Sequence, residues 1–266
     1  MPGDNSGDPT TNSTSRFDGR AGNYVNFRPT YPQEVIETII AKGALVPGSI
    51  VADIGSGTGI FAGLLINAGM DVFAIEPNEQ MRLAAEQSLD PEAKEPHFHS
   101  IAGTAEQTTL ADRSVHAITA AQAFHWFDPE PTKAEMRRII KPNGWLALIW
   151  NQRDTRTDFQ QNYESILRKH VPDYDHLVHT RINDGTIAEL FEDSSLETQS
   201  LLNRQILGLD GLLGRMSSSS YVPDPAEPAF GRIVDEMTDL FEMSQQNGKV
   251  AFDYDTQLFI GRLSRS

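Results

Sequence analysis

Apolar segments and helical patterns alternate along the chain between residues 49 and 151. Four segments are apolar at nearly every position, which is typical of strands covered on both faces of a parallel sheet. They are residues 50–54, 72–75, 115–121 and 146–150. Between them apolar residues recur at helical spacing, with Asn78 as the predicted N-cap of one helix and a second helix predicted to begin near Asp128 and stop before Pro142. This alternation predicts a doubly wound α/β sheet.

The regular alternation ends after Asn151. Residues 152–195 have the pattern of helices and loops inserted into the fold, and residues 225–246 form an amphipathic helical pattern. Residues 199–207 predict a further strand. Residues 250–263 contain alternating apolar and polar positions, which predict a closing antiparallel strand or hairpin.

Composition and charge narrow the classes of function. The chain has 266 residues and a formal net charge of −15, from 22 Lys and Arg against 37 Asp and Glu, so we expect no nucleic-acid partner. It contains no cysteine, which excludes disulfides and thiolate metal sites. No apolar run reaches the ~18 residues of a membrane span, and residues 1–15 have no signal-peptide pattern and predict a disordered tail. We therefore expect a cytoplasmic protein without a membrane partner.

A glycine-rich turn follows the first predicted strand. The spacing of Gly55, Gly57 and Gly59 lets the backbone turn tightly and approach a ligand without a Cβ clash. The N-terminus of the next helix adds free N–H groups behind the turn. Glu76 ends the second predicted strand, where a carboxylate can accept both hydrogens of a ribose diol. Turn and carboxylate together predict nucleoside binding.

The spacing disfavours two other nucleotide sites. In the dinucleotide fingerprint G-x-G-x-x-G, the last glycine would fall at Ile60. No tyrosine is followed by lysine four residues later, as short-chain reductases require, and the Gly-Lys-Ser/Thr sequence of a phosphate-binding loop is missing. An NAD(P)-dependent reductase stays open as an alternative.

Residues 51–61, in which Asp53 precedes the glycines, resemble motif I of the class I S-adenosylmethionine (SAM) dependent methyltransferases. The resemblance runs from about Phe17 to Leu263 and is closest to small-molecule enzymes similar to ubiquinone/menaquinone and trans-aconitate methyltransferases. It implies a mostly parallel, seven-stranded Rossmann-like sheet with one antiparallel strand, a helical insert and an N-terminal cap. It also implies that Asp53 holds the methionine amino group, that the three glycines admit the cofactor, and that Glu76 binds the ribose hydroxyls.

The resemblance assigns roles to further residues. The sequence Arg28-Pro-x-Tyr31-Pro is similar to the cap of this group and places Arg28 near the SAM carboxylate or an acidic substrate. Residues 103–106 resemble the adenine-contacting segment, with Thr104 where many relatives carry Asp. The other predicted cofactor-binding residues are Tyr24, Arg28, Pro77, Met81, Thr104, Ala105, Glu106, Gln122, Ala123 and Phe124. The predicted substrate-binding residues are Tyr31, Trp126, Trp150 and Asn151.

An aromatic segment with one histidine, residues 124–127, follows the fourth predicted strand. Aromatic faces stabilise a sulfonium cation, and a histidine near its ordinary pKa can remove a proton from a nucleophile. His125 is therefore the candidate general base; alternatively it caps or shields the cofactor. Metal-dependent catechol methyltransferases carry Asp where this chain has Phe124, so we predict no metal.

These observations predict a SAM-dependent methyltransferase (EC 2.1.1.-) that moves a methyl group to an O, C or N atom of a small-molecule acceptor and gives S-adenosylhomocysteine (SAH). A SAM-binding protein without transferase activity is the other alternative. The predicted organisation is the tail (1–15) and one methyltransferase domain (16–266), as a monomer or homodimer. Within that domain we expect a cap at 16–48 and helical substrate-side insertions at 152–195 and 209–246.

Overall fold

Seven β-strands form one sheet in the computed structural model, which describes residues 27–89, 97–175, 187–192, 195–219 and 221–264. The predicted tail and Tyr24 lie outside these residues. The strands are β1 (Ile50–Ile54), β2 (Asp71–Ile75), β3 (Phe98–Ile101), β4 (Val115–Ala121), β5 (Ile140–Arg153), β6 (Glu197–Leu207) and β7 (Val250–Arg262). Their order in the sheet is β3-β2-β1-β4-β5-β7-β6. Among these seven strands, β7 alone runs in the opposite direction to the others. This arrangement confirms the predicted fold class.

Helices cover both faces of the sheet. They are α1 (Gln33–Gly43), α2 (Ile60–Asn67), α3 (Glu79–Leu89), α4 (Pro129–Ile139), α5 (Asp158–His170), α6 (Leu209–Ser217) and α7 (Pro228–Ser244). Side chains alternate between faces along a strand, so Val51 packs with α1, α2 and α3 on one face, whereas Ala52 and Ile54 pack with α4 on the other. A third apolar cluster joins α5, α6 and α7 to β7. No helix among the described residues is long and apolar enough to cross a membrane.

The sequence pattern located most element boundaries to within a few residues. The Asn78 side chain accepts a hydrogen bond from the Met81 N–H at 3.0 Å, which confirms the predicted N-cap. Helix α2 begins only at Ile60, because Gly59 before it has a left-handed φ of 81°. Strand β5 is longer than predicted.

The start of β5 contains a bulge. Pairing with β4 jumps from Val115–Ile140 to Ala117–Trp145, and Asn143 in between has a φ of 67°. Residues 143–144 are thus part of an irregularity inside a continuous strand. The bulge lets the chain leave α4 and enter β5 without a separate loop.

Gly59 carries a packing constraint that an alanine cannot meet. A Cβ atom there would lie 2.5 Å from Leu89 Cδ1 and 3.1 Å from Ala85 Cβ, at the contact between α2 and α3. We expect Gly59→Ala to lower the free energy of unfolding by about 1–3 kcal/mol, because overpacking adds to the left-handed strain. Gly231→Ala in α7, where a Cβ would meet nothing within 4 Å, is the control and should raise it by up to about 1 kcal/mol. Urea unfolding measures both, and equal curves for Gly59→Ala and the wild type would contradict the packing assignment.

Candidate active site

A cavity opens at the carboxyl ends of β1, β2 and β4, where ligands of doubly wound sheets bind. Most of the residues predicted from the sequence lie on its wall. They are Arg28, Tyr31, Asp53, Gly55, Gly57, Glu76, Pro77, Met81, Thr104, Ala105, Glu106, Gln122, Ala123, Trp126 and Asn151. The fold therefore brings the glycine turn, the carboxylate of β2 and the segment after β4 to one place.

The three glycines of the turn have different surroundings. All three have positive φ values, of 69°, 57° and 81° for Gly55, Gly57 and Gly59. A Cβ at Gly55 would lie 2.5 Å from Ala123 Cβ, whereas a Cβ at Gly57 would meet only Met81 Sδ, at 3.8 Å. Gly59 is not among the lining residues and serves the contact between α2 and α3 instead, which differs from the predicted role.

Glu76 is held by the backbone of the turn. Its Oε2 accepts a hydrogen bond from the Gly57 N–H at 3.0 Å, and its Oε1 accepts one from the Asn78 N–H at 2.9 Å. Burial raises the pKa of Glu76, while these two hydrogen bonds act in the opposite direction. Each carboxylate oxygen has a second lone pair, so this fixed carboxylate can still accept hydrogen bonds from a diol.

Asp53 lies at the end of β1 with one oxygen satisfied and one not. Its Oδ1 accepts a hydrogen bond from the Thr119 hydroxyl at 2.7 Å, and its Oδ2 is buried with no hydrogen-bond partner among the described residues. Burial raises the pKa of Asp53 to about 7; the Thr119 hydrogen bond opposes this shift and the charge of Glu76 adds to it. A buried carboxylate oxygen without a donor is costly, so the cavity is suited to a ligand that brings a cationic donor.

Two asparagines fix the N-terminal segment over the cavity. The Thr30 carbonyl accepts hydrogen bonds from Asn151 Nδ2 at 3.1 Å and from Asn203 Nδ2 at 2.6 Å. This anchor lies between Arg28 and Tyr31, both of which line the cavity. Asn203 was not among the predicted site residues. Its position in the sequence shows only a polar residue within the predicted strand 199–207.

Comparison with known proteins agrees with this geometry. Residues 52–148 match the family model of the methyltransferase domain. An uncharacterized methyltransferase of Mycobacterium tuberculosis is 35% identical over 151 residues, which are 57% of this chain and 58% of that relative. A methyltransferase structure from Anaeromyxobacter dehalogenans covers 89% of this chain and 98% of its own, with a TM-score of 0.65 and 22% identity. The matched residues 52–148 and the fold around them are those of a methyltransferase domain.

A third comparison concerns a protein solved with a nucleoside bound. The phosphoethanolamine N-methyltransferase 2 of Haemonchus contortus, in complex with SAH, has a TM-score of 0.54 and 13% identity. It covers 98% of this chain, which spans 61% of its length. At this identity the likeness shows the fold of the methyltransferase domain.

Two predicted aromatic residues lie behind the cavity wall. Phe124 packs edge-to-face on Phe127 and Trp150, and Trp150 also packs on Phe259. Neither Phe124 nor Trp150 is among the lining residues of the cavity, in contrast to their predicted contacts with cofactor and substrate. Asn151 faces the cavity, so the preceding residue of the strand points to the other face.

His125 lies in the short helical turn Phe124–Trp126, with its ring centroid 4.9 Å from that of Trp126. Burial lowers the pKa of His125 to about 4, so the imidazole is neutral and only weakly basic at neutral pH. The described lining of the cavity does not include His125. Its role as general base stays a prediction, and so does the alternative in which it caps or shields the cofactor.

Glu106 helps to build the start of α4. Its Oε1 accepts hydrogen bonds from the Asp128 N–H at 3.0 Å and from the Thr132 hydroxyl at 3.4 Å. The same residue lines the cavity beside Thr104 and Ala105, so the predicted adenine-contacting segment is tied to the helix that follows β4.

The state of Asp53 gives a stability prediction. Its pKa is raised from 3.8 to about 7 in the folded protein, so the folded state holds the proton more tightly than the unfolded one. Burial of the charged carboxylate therefore costs no stability below pH 3.8 and its full amount, roughly 4 kcal/mol at most, above pH 7. We expect Asp53→Asn to raise the free energy of unfolding at pH 8 and to have a much smaller effect at pH 4.

Asp239→Asn, at an exposed position of α7, is the matched control and should change stability little at either pH. Denaturant unfolding of the unliganded protein at both pH values gives the comparison. A loss of stability in Asp53→Asn at pH 8 would show that the carboxylate is a structural group rather than one held ready for a ligand.

Proposed function

We propose that the cavity binds SAM and that the protein transfers its methyl group to an O, C or N atom of a small-molecule acceptor, giving SAH. The observation that carries the proposal is the unpaired, buried Oδ2 of Asp53 beside the backbone-held Glu76. An ammonium group and a vicinal diol are the two groups that these carboxylates would bind, and SAM has both. The methyltransferase fold and domain match support the same assignment.

The lining residues fit the remaining parts of the cofactor. Met81 and Ala105 offer apolar contacts for the adenine ring, and Glu106 lies beside them as an acceptor for its amino group. Arg28, on the anchored N-terminal segment, would bind the methionine carboxylate. Gln122 is held by a hydrogen bond from its Nε2 to the Asn151 carbonyl, at 3.0 Å, next to the methionine end.

The chemistry that the cofactor supplies is an electrophilic methyl group on a positively charged sulfur. The protein's task is then to align the acceptor atom with that methyl group and to exclude water. Arg28 and Tyr31 of the N-terminal segment line the cavity, and so do Trp126 and Phe127 of the segment after β4. Deprotonation of a hydroxyl or acidic C–H acceptor is the step for which His125 was predicted.

A binding titration and a product assay together separate the proposed function from its two alternatives. A reductase would bind NAD, whereas the turn has Ile60 at the position of the last fingerprint glycine. Calorimetric titration with SAH, and in parallel with NAD, should give saturable binding of SAH alone. A SAM-binding protein without transferase activity would also bind SAH, but would give no methylated product from labelled SAM across a panel of acceptors.

Ligand binding should depend on pH through Asp53. Only the ionised carboxylate attracts the ligand's ammonium group, and its pKa in the free protein is about 7. The SAH affinity should therefore be about tenfold lower at pH 6 than at pH 8, with proton release on binding at the lower pH. Calorimetry in buffers of different ionisation enthalpy measures both quantities.

The matched variant for this experiment is Asp53→Asn, which keeps an oxygen for the Thr119 hydroxyl but cannot ionise. It should bind SAH more weakly at pH 8 and without this pH dependence. A wild-type affinity that is constant from pH 6 to pH 8 would contradict the assigned role of Asp53.

A further inference from the structure

Buried polar side chains form a second constellation beneath the C-terminal helices. We call it the arginine–tyrosine cluster; it consists of Arg153, Tyr163, Glu164, Tyr174, Arg215 and Tyr221. Arg153, at the end of β5, forms an ion pair with Glu164 and donates hydrogen bonds to the hydroxyls of Tyr221 at 2.5 Å and Tyr174 at 2.7 Å. The Tyr174 hydroxyl in turn donates to Glu164 at 2.6 Å.

Arg215 is buried without a carboxylate partner in the described part of the chain. It is 3% exposed, and it donates hydrogen bonds to the Tyr254 hydroxyl at 2.7 Å and the Ser219 hydroxyl at 3.1 Å. Its guanidinium group lies over the rings of Phe252 and Tyr254. Buried arginines are normally paired with an acid, so the arginine–tyrosine cluster holds two buried cations against the single carboxylate of Glu164.

The charges within the cluster act on Tyr221. Burial alone would raise the pKa of its hydroxyl, but the positive charges of Arg153, Arg215 and Arg28, together with a hydrogen bond to Ser219, outweigh burial and lower the pKa below its ordinary value. The hydroxyl of Tyr163 is fully buried in the same cluster and has no hydrogen-bond partner among the described residues. The cluster thus combines a positive potential with an unused polar group.

The cluster borders the proposed methyl-transfer cavity. Arg28 lines the cavity, and its Nη2 donates a hydrogen bond to the Ser218 carbonyl at 2.9 Å, one residue before the Ser219 that contacts Arg215. Asn151 lines the cavity too, and Arg153 lies two residues later on the same face of β5. None of the six cluster residues is among the described residues that line the cavity, so the cluster lies behind Arg28 and Asn151. A molecule on that side of the cavity would therefore face the positive potential of the cluster.

We propose that the acceptor is an oxyanion, and that its carboxylate or phosphate group is bound next to the arginine–tyrosine cluster. This inference rests on the proposed function and specifies its substrate class. Guanidinium and phenol groups are hydrogen-bond donors suited to planar or tetrahedral oxyanions. The protein as a whole carries a net charge of −15 and would repel an anion, so local cations are needed at the site that admits one.

Binding of simple anions to the SAH-saturated protein tests the proposal. The probes are succinate, inorganic phosphate and, as a neutral control, dimethyl succinate, titrated calorimetrically at low ionic strength. We expect saturable binding of at least one anion and none of the diester. If succinate binds more tightly than phosphate, the acceptor carries a carboxylate; if phosphate binds more tightly, it carries a phosphate group. Absence of saturable anion binding would overturn the proposal, whereas failure to bind SAH would refute the proposed function itself.

Arg215→Met locates the anion. Methionine fills a similar volume without charge, and the Tyr254 hydroxyl keeps its hydrogen bond to Gln205, at 2.9 Å. Anion affinity should fall about tenfold or more, with SAH affinity and thermal stability retained. Arg232→Met, at an exposed position of α7, is the control and should bind the anion like the wild type. Equal affinity in Arg215→Met and wild type would overturn the proposal.

If Arg215→Met does not fold, the ionisation of Tyr221 in the wild-type protein, measured with and without the anion, tests the proposal instead. Tyrosinate absorbance, taken as the difference between wild type and Tyr221→Phe, follows the ionisation of Tyr221. A bound anion should raise the pKa of Tyr221 by offsetting the nearby positive charge, and an unchanged titration curve would overturn the proposal. The titratable and charged groups that face Tyr221 are Arg28, Arg153, Tyr163, Glu164, Tyr174, Arg215 and Tyr254.

Discussion

Two buried carboxylates that face the same cavity are the constraint on which the site depends. Asp53 and Glu76 end neighbouring parallel strands, and the charge of Glu76 contributes to the raised pKa of Asp53. The fold offsets this cost only in part, through the Thr119 hydroxyl and the N–H groups of Gly57 and Asn78. One carboxylate oxygen stays unpaired, and this deficit is what a cationic ligand would remove.

The parts of the fold and site that depend on local patterns were predictable from the sequence. Strands covered on both faces are continuously apolar, and the glycine turn and the acid after β2 are each signalled within a few residues. The face to which a side chain points was harder to predict. Trp150 and Asn151 are neighbours near the end of β5, yet only Asn151 lines the cavity because successive side chains alternate.

Contacts between segments far apart in the chain left no readable signal. Asn203 reaches Thr30 because β6 pairs with β7 and β7 with β5, an arrangement that brings the last third of the chain beside the N-terminal segment. The arginine–tyrosine cluster arises in the same way, from residues on β5, α5 and α6. Its net positive interior lies within an acidic protein, so charge counted over the whole sequence concealed it.

Together the two proposals give the cavity two electrostatic tasks: carboxylates would bind a cationic, diol-bearing cofactor, and the arginines would favour an anionic acceptor. The first task is the central claim, and a crystal structure of the protein grown with SAH tests it most directly. The account predicts the ligand's amino nitrogen within hydrogen-bond distance of Asp53 Oδ2 and its ribose hydroxyls on Glu76. A ligand bound with its ribose away from Glu76, or outside this cavity, would contradict the account.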